Sequence, residues 1–350
     1  MSSITIDIPT FRVNGKDLQK LINFIYKHRN SLKEFGVIKI QLNDDCKLAL
    51  KKRRNNVETH PTNVHFLKIW QHESIYSVQK RDRIDIFPQP PQKIDERSFW
   101  SSLSDSNNGY RPVNSSVILG KTFFSQKTSR LFFDINRLPN ESLLKIGGKK
   151  ATGKCLPCLQ RAYRPGAIFP LNCAQQHLFS INYHHEGGAH YWYIIPSRER
   201  NALQRIMVGE HSNTCLDHGN IFVNPSVFDK NHIRYHRVIQ YPNEFIVLSA
   251  GTLTQSFSED ANWRESITFA LPSWIDEGYA NVPVSLCQCN ILEECVPEVI
   301  DVNLFRHELI QRYVALHLNT TDEEAELPSS KGRLIYLEEQ FPLFHVSRPH

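Results

Sequence analysis

The cysteines are the residues of this chain whose spacing first suggests chemistry. Of eight, four fall in short-spaced pairs, Cys155/Cys158 and Cys287/Cys289. Such pairs, in a chain whose first residues Met1 to Pro9 carry neither a basic region followed by an apolar core nor a cleavage site, argue for thiols or metal ligands rather than a disulfide framework. Zinc is the first candidate. Cys155-Leu156-Pro157-Cys158 also has redox spacing, but no helical pattern follows it, so two ordinary cysteines are the simpler reading.

Several elements must position such residues. Leu18, Leu21, Ile22 and Ile25 share one helical face. Val37-Ile38-Lys39-Ile40 has the β-branched density of a strand. Lys51-Lys52-Arg53-Arg54 reads either as a nuclear import signal or as a solvated loop. Residues 56 to 98 are polar and irregular, and Phe87-Pro88-Gln89-Pro90-Pro91 continues neither a helix nor a central strand. From Val117 onward short apolar runs alternate with turn residues. The clearest are Leu178 to Glu186 and Ala189 to Ile195, which Gly187-Gly188 would join into a β-hairpin. Many short strands suggest a barrel or sandwich. Phe305, Leu309, Tyr313 and Leu316 recur at helical spacing, with Asp301 or Asn303 as a cap.

Length and composition allow this. The 350 residues are 40% hydrophobic, 22% charged and 11% aromatic, which supports a large buried core and excludes global disorder. The formal charge of +5 tolerates an anionic partner without demanding nucleic acid, and no apolar run reaches membrane-spanning length. A soluble intracellular protein is expected.

Phe179-Ser180-Ile181-Asn182-Tyr183 followed by Trp192-Tyr193-Ile194-Ile195-Pro196 resembles the JmjC core of the JMJD2-type trimethyl-lysine histone demethylases. Ile8-Pro9-Thr10-Phe11-Arg12 and the helix after it resemble the JmjN segment of that family. Asp134 to Leu138 is similar to its stretch before the barrel, and Asn243-Glu244-Phe245 through Glu265-Ser266 to Trp274-Ile275 is similar to its closing strands. The resemblance covers about 8–45 and 130–290, is weak over 46–115 and ends near 295. It implies a mainly β fold with α elements: a JmjC double-stranded β-helix, or cupin-like barrel, over 116–275. A JmjN-like segment (5–45), a connector of mixed structure (46–115) and a zinc-pinned helical C-terminal extension (276–350) complete the expected organisation.

The same resemblance locates an iron site and finds its ligands missing. JmjC enzymes hold ferrous iron with a His-x-Asp/Glu pair and a distal His, leaving positions for 2-oxoglutarate and oxygen. Here those three slots fall on Asn172, Ala174 and Thr254. An amide is a poor iron ligand and alanine is none. In the co-substrate pocket the family lysine aligns with His190 and the family tyrosine with Phe123, while Asn182 and Trp192 remain. Neither a largely neutral histidine nor a phenylalanine replaces the lost anchors. The methyl-lysine tyrosines align with Cys158 and Gln160. One rival is a shifted iron site at His184-His185-Glu186, a literal His-x-Glu, since residues two apart on a strand share a face. Against it, no histidine occurs between His236 and His307 to act as the distal ligand.

For zinc the resemblance implies Cys215, His218, Cys287 and Cys289, a closed four-ligand structural site. Cys173, beside the first iron slot, either packs or acts as a soft ligand. The resulting expectation is a catalytically inactive binding or scaffold module, nuclear and chromatin-associated by resemblance, with histone tails or chromatin proteins as partners. It would bind structural zinc but neither iron nor 2-oxoglutarate. The alternatives are an iron- and 2-oxoglutarate-dependent histone lysine demethylase with its ligands elsewhere, and a diverged derivative with no role beyond a stable fold.

Overall fold

The computed structural model describes residues 7–43, 65–69, 74–80, 93–104, 110–124, 133–210, 215–282 and 299–319. Lys51 to Arg54, the proline-rich Phe87 to Pro91, Cys287 and Cys289 lie outside the described residues.

Among the described residues the strands are, in chain order, β1 (Thr10–Val13), β2 (Val37–Leu42), β3 (His65–Ile69), β4 (Ile75–Lys80), β5 (Tyr110–Pro112), β6 (Ser115–Leu119), β7 (Cys158–Ala162) and β8 (Ile168–Cys173). They continue with β9 (Phe179–Gly187), β10 (His190–Ile195), β11 (Ile221–Val223), β12 (His236–Gln240), β13 (Glu244–Leu248), β14 (Leu253–Ser258) and β15 (Asn262–Phe269). One sheet runs β1-β2-β13-β9-β15-β7-β6 and a second runs β12-β10-β14-β8. Their inner faces meet in the double-stranded β-helix expected from the sequence. Trp192 and Ile194 of the second sheet pack there with Ile246 of the first.

The outer face of the first sheet carries the main core. Ile181, Tyr183, Phe245, Val247, Ile267 and Phe269 point to it, covered by the N-terminal helices, by residues 133–151 and by the C-terminal segment. Asn14 starts the first helix with a capping box: its side chain accepts from the backbone of Lys16 and Asp17 while its own N–H donates to Asp17. The expected single helix is three, Gly15–Gln19, Leu21–Lys27 and Arg29–Phe35. The breaks let Leu18, Leu21, Ile22, Ile25 and Leu32 all reach the core before Gly36, in the left-handed region, turns the chain into β2.

The Gly187-Gly188 hairpin is not formed. β9 pairs with β13 and β15, whereas β10 pairs with β12 and β14, so the two glycines carry the chain from one sheet to the other. Glycine is required there because the crossing presses on the turn between β14 and β15. A Cβ on Gly187, at φ +102°, would sit 2.2 Å from the Ala261 carbonyl oxygen. Gly187→Ala is therefore expected to destabilise the fold by several kcal/mol, whereas Gly120→Ala, also at positive φ but with nothing within 4 Å, should cost only about 1 kcal/mol. Equal melting temperatures for the two variants would remove this explanation of the crossover.

Within the expected connector, β3, β4 and β5 join β11 in a third sheet, and helix Glu96–Ser104 buries Phe99. That ring stacks on Phe257, centroids 3.9 Å apart, and so attaches the connector to the second sheet. At the C-terminal end Asp301 caps a separate short turn, Val302–Leu304, rather than the expected helix, which starts at His307 without a side-chain cap, and Leu309 and Leu316 are exposed. Phe305, Ile310, Tyr313 and Leu318 are buried instead, because helix His307–Tyr313 runs into a wider π-type turn, Val314–Leu318, which rotates the buried stripe. This segment is held by Gln176, at φ +48°. Its amide donates to the Ala280 and Ile300 carbonyls and accepts from the Ile300 N–H.

Candidate functional site

The barrel interior is lined by residues on the inner faces of both sheets. Asn172, near the end of β8, pairs across the ladder with Thr254 of β14. Thr254 faces inward because its partner on the other side, Ile194, does. The Thr254 hydroxyl donates to Asn172 Oδ1 at 3.1 Å. Ala174 follows immediately, at the start of the turn Gln175–His177. Two of the three iron slots therefore meet in space, but they meet as a hydroxyl bonded to an amide beside a methyl group. No imidazole and no carboxylate is contributed by these positions, and the donor set does not fit ferrous iron.

The His184-x-Glu186 rival fails on register. A β-bulge at His185 sets Glu186 opposite Trp263 and His184 opposite Arg264. Trp263 and Arg264 are neighbours on one strand and point to opposite faces, so the shared face that the spacing suggested is lost. His184 points inward with both ring nitrogens 3.2 Å from backbone carbonyls, those of Gln240 and Glu186. Burial, reinforced by the Arg264 charge, lowers its pKa to about 3.

Of the co-substrate positions, Asn182, His190 and Trp192 come together. Trp192 Nε1 donates to Gln240 Oε1 at 3.0 Å, and Gln240 Nε2 donates to the Asn182 carbonyl at 3.0 Å. His190 is buried, and desolvation followed by the Arg264 charge holds its pKa well below the ordinary value, so it is neutral. Phe123 is elsewhere. It packs on His185 and Trp263 at the outer face of the first sheet, and its N–H donates to Glu265 Oε2 at 3.0 Å. Cys158 and Gln160 do line the inner face, opposite Ser266 and Arg264. Gln160 Nε2 reaches Ser266 Oγ at 3.5 Å. Burial pushes the Cys158 and Cys155 thiols up to about 11, which favours the protonated thiol at both.

Of the residues expected to hold zinc, Cys215 Sγ lies 3.3 Å from His218 Nδ1. These residues sit beside the iron slots, since Asn172 forms an antiparallel bridge with His218. Close by, Cys173, His177 and Asp217 bring ligand atoms within 4.8 Å of one another. Their carboxylate is already engaged: Arg200 Nη2 donates to both Asp217 oxygens at 2.6 Å. Burial, with Asp217 adding to it, pushes the Cys173 thiol up to about 12, so this group favours a thiol next to an ion pair.

Two features of the site escaped the sequence reading. His185 Nε2 and Glu265 Oε2 form a fully buried contact at 3.0 Å on the outer face, and burial raises the Glu265 pKa to about 7. Arg264 lies inside the barrel. Its only trace in the sequence is a charged residue in the alternating run Asn262 to Ser266, which reads equally well as a solvated strand face.

Residues 163–269 match the family model described as "JmjC domain, hydroxylase". The chain is 24% identical to the Lid2 complex component lid2 of Schizosaccharomyces pombe over 55% of this chain and 14% of that protein. It is 34% identical to the probable lysine-specific demethylase 4F of Homo sapiens over 32% of this chain and 18% of that protein. With the protein Jumonji of Gallus gallus it shares 28% identity over 44% of this chain and 13% of that protein. The chain thus spans less than a fifth of the length of each of these relatives. It carries a JmjC domain and resembles the lysine-specific demethylase 4 proteins.

Proposed function

Starting from a JmjC domain whose iron slots hold an amide, a methyl group and a hydroxyl, we propose that this chain is a non-catalytic binding or scaffold module. The observation that carries the reading is the Thr254–Asn172 hydrogen bond. It joins two positions that an iron site would need for imidazoles, as a hydroxyl donating to an amide oxygen. Binding needs no iron, so a barrel with intact packing retains surfaces for a partner after its chemistry is lost. The names of its relatives, lysine-specific demethylases and a Lid2 complex component, direct the search for that partner to lysine-bearing chromatin proteins such as histone tails, and to the nucleus. In the described residues no helix is long and apolar enough to cross a membrane.

The test is succinate release from 2-oxoglutarate in the presence of ferrous iron, ascorbate and a trimethyl-lysine histone peptide. Output no higher than that of heat-killed protein is expected. Turnover above that control would favour the alternative, a demethylase whose ligands lie outside Asn172, Ala174 and Thr254.

The zinc assignment belongs to the same reading. Cys215 and His218 supply a thiolate and an imidazole at contact distance, and Cys287 and Cys289 would complete the tetrahedron. One zinc per chain by elemental analysis is expected, lost in Cys287→Ser or His218→Ala with a lowered melting temperature. Ligands this far apart in sequence close a long loop, and metal binding then becomes part of the folding free energy. Zinc that survives both substitutions would mean that other residues hold it.

A further inference from the structure

One stretch of the outer surface carries lysines that no described residue neutralises. The run Leu144 to Lys154 contains Lys145, Lys149, Lys150 and Lys154 and no acidic residue. Lys145, Lys149 and Lys150 are exposed, and their ammonium groups make no ion pair or hydrogen bond among the described residues. Lys154 differs, since its Nζ donates to the Val299 carbonyl and ties the run to the C-terminal segment. That segment packs alongside. A Cβ on Gly147 would lie 3.3 Å from Leu304 Cδ1 and 3.4 Å from Phe305 Cζ, and burial, followed by the Lys145 charge, lowers the His317 pKa. Residues 299–319 are themselves balanced, Asp301 and Glu308 against Arg306 and Arg312, and Glu141 is taken by Arg137 at 3.0 Å. The field over the three free lysines therefore stays positive.

A second basic run, Lys230 to Arg237, supplies the contrast. There Arg234 meets Glu199 at 2.8 Å, and Arg237 lies 3.8 Å from Glu96 and 3.9 Å from Asp229. Its charge is largely neutralised within the fold, whereas the Leu144 to Lys154 run presents its cations to solvent. The chemistry of the run narrows the partner. Leu144 and Ala151 are buried and Ile146 packs against the core, so no apolar side chain within the run stands out to anchor a protein or to enter a lipid surface. The run contains no aromatic residue, and Phe305 and Tyr313 beside it are buried, so unpaired bases have no ring to stack on. Lysine ammoniums are point charges that meet phosphate oxygens without the planar fork that selects a carboxylate.

We propose that Lys145, Lys149 and Lys150 bind the phosphate backbone of duplex DNA without reading its sequence. Each ammonium that neutralises a phosphate releases condensed counterions, so affinity follows charge and salt rather than base order. The lysines belong to the layer of residues 133–151 and the C-terminal segment that covers the outer face of the first sheet, on the far side of that sheet from the barrel interior. The inference goes beyond the binding role proposed above and is independent of the iron slots, so catalytic turnover would leave it standing.

The experiment is fluorescence anisotropy of labelled DNA duplexes of two unrelated sequences, titrated with the full chain from about 50 to about 200 mM salt, with polyglutamate and phosphatidylserine vesicles tested in parallel. Both duplexes should bind alike. Three phosphate contacts predict an affinity that falls about 40-fold over that range, a log–log slope of about −2.7. Lys149→Gln with Lys150→Gln should flatten the slope by about 2, and adding Lys145→Gln should remove binding. Lys230→Gln with Arg234→Gln removes the same formal charge from the neutralised run and should leave the slope unchanged. All five positions are exposed, so the melting temperatures should hold. The proposal is overturned if neither duplex binds at the lowest salt, if the triple variant keeps the wild-type slope, or if the control pair costs as much as Lys149→Gln with Lys150→Gln. It is equally overturned if polyglutamate or the vesicles bind through these lysines and the duplexes do not.

Discussion

Acidifying the protein from pH 6.5 toward 4.5 should destabilise it by a net of roughly 1.4 kcal/mol per pH unit, the equivalent of about one proton taken up on unfolding. His184 is held neutral in the folded state down to about pH 3, and His190 is shifted the same way. In the unfolded chain both titrate near 6.5. A depressed folded pKa contributes stability above the unfolded value and loses it as pH falls, so both histidines penalise acid. Glu265 opposes them. Its folded pKa is raised from 4.5 to about 7, so its contribution is complete below 4.5 and is lost as pH rises through 7. Two histidines against one glutamate leave a net acid lability, to which His177 and His236, also lowered by burial, add. Denaturant midpoints measured from pH 7 to 4.5 should fall. His184→Asn, which cannot titrate, should flatten the curve by about one proton, roughly 1.4 kcal/mol per unit. A wild-type midpoint that rises on acidification would mean that these side chains are not buried as described.

Restoring the three slots should restore the metal. Asn172→His, Ala174→Glu and Thr254→His together place two imidazoles and a carboxylate on positions of which the first and third are already in hydrogen-bond contact. Divalent manganese, a spectroscopically visible substitute for ferrous iron, should then bind with one ion per chain. Relative to the wild type a gain of at least about 100-fold is expected, equivalent to roughly 2.7 kcal/mol. The single variant Asn172→His should gain little, because one imidazole does not make a site. Failure of a folded triple variant to bind manganese would show that the slots were placed on the wrong residues.

How much of this was legible in the sequence differed from element to element. Val37 to Ile40, Leu178 to Glu186 and Ala189 to Ile195 announce strands through β-branched and aromatic content, and all three are strands. Their pairing was not legible, because Gly187-Gly188 is compatible with a tight hairpin and with a crossover between sheets. What decides between them is the close approach to Ala261 and Asn262, more than 70 residues away. The bulge at His185 is a similar case. It reverses the face of Glu186, and no local spacing signals it. Asn172 and Thr254 were identified through the resemblance, and the ladder between β8 and β14 brings them together. Arg264 could not be singled out, since inward and outward polar positions look alike until the register is known.

The central claim is that the interior of this JmjC domain holds no divalent metal at Asn172, Ala174 and Thr254. Its most direct test is manganese titration of metal-stripped wild-type protein followed by electron paramagnetic resonance, with the triple variant alongside. The wild type should leave the ion free in solution at every concentration, giving the sharp signal of hydrated manganese. One tightly bound ion per wild-type chain, lost on substituting any of those three residues, would contradict the claim.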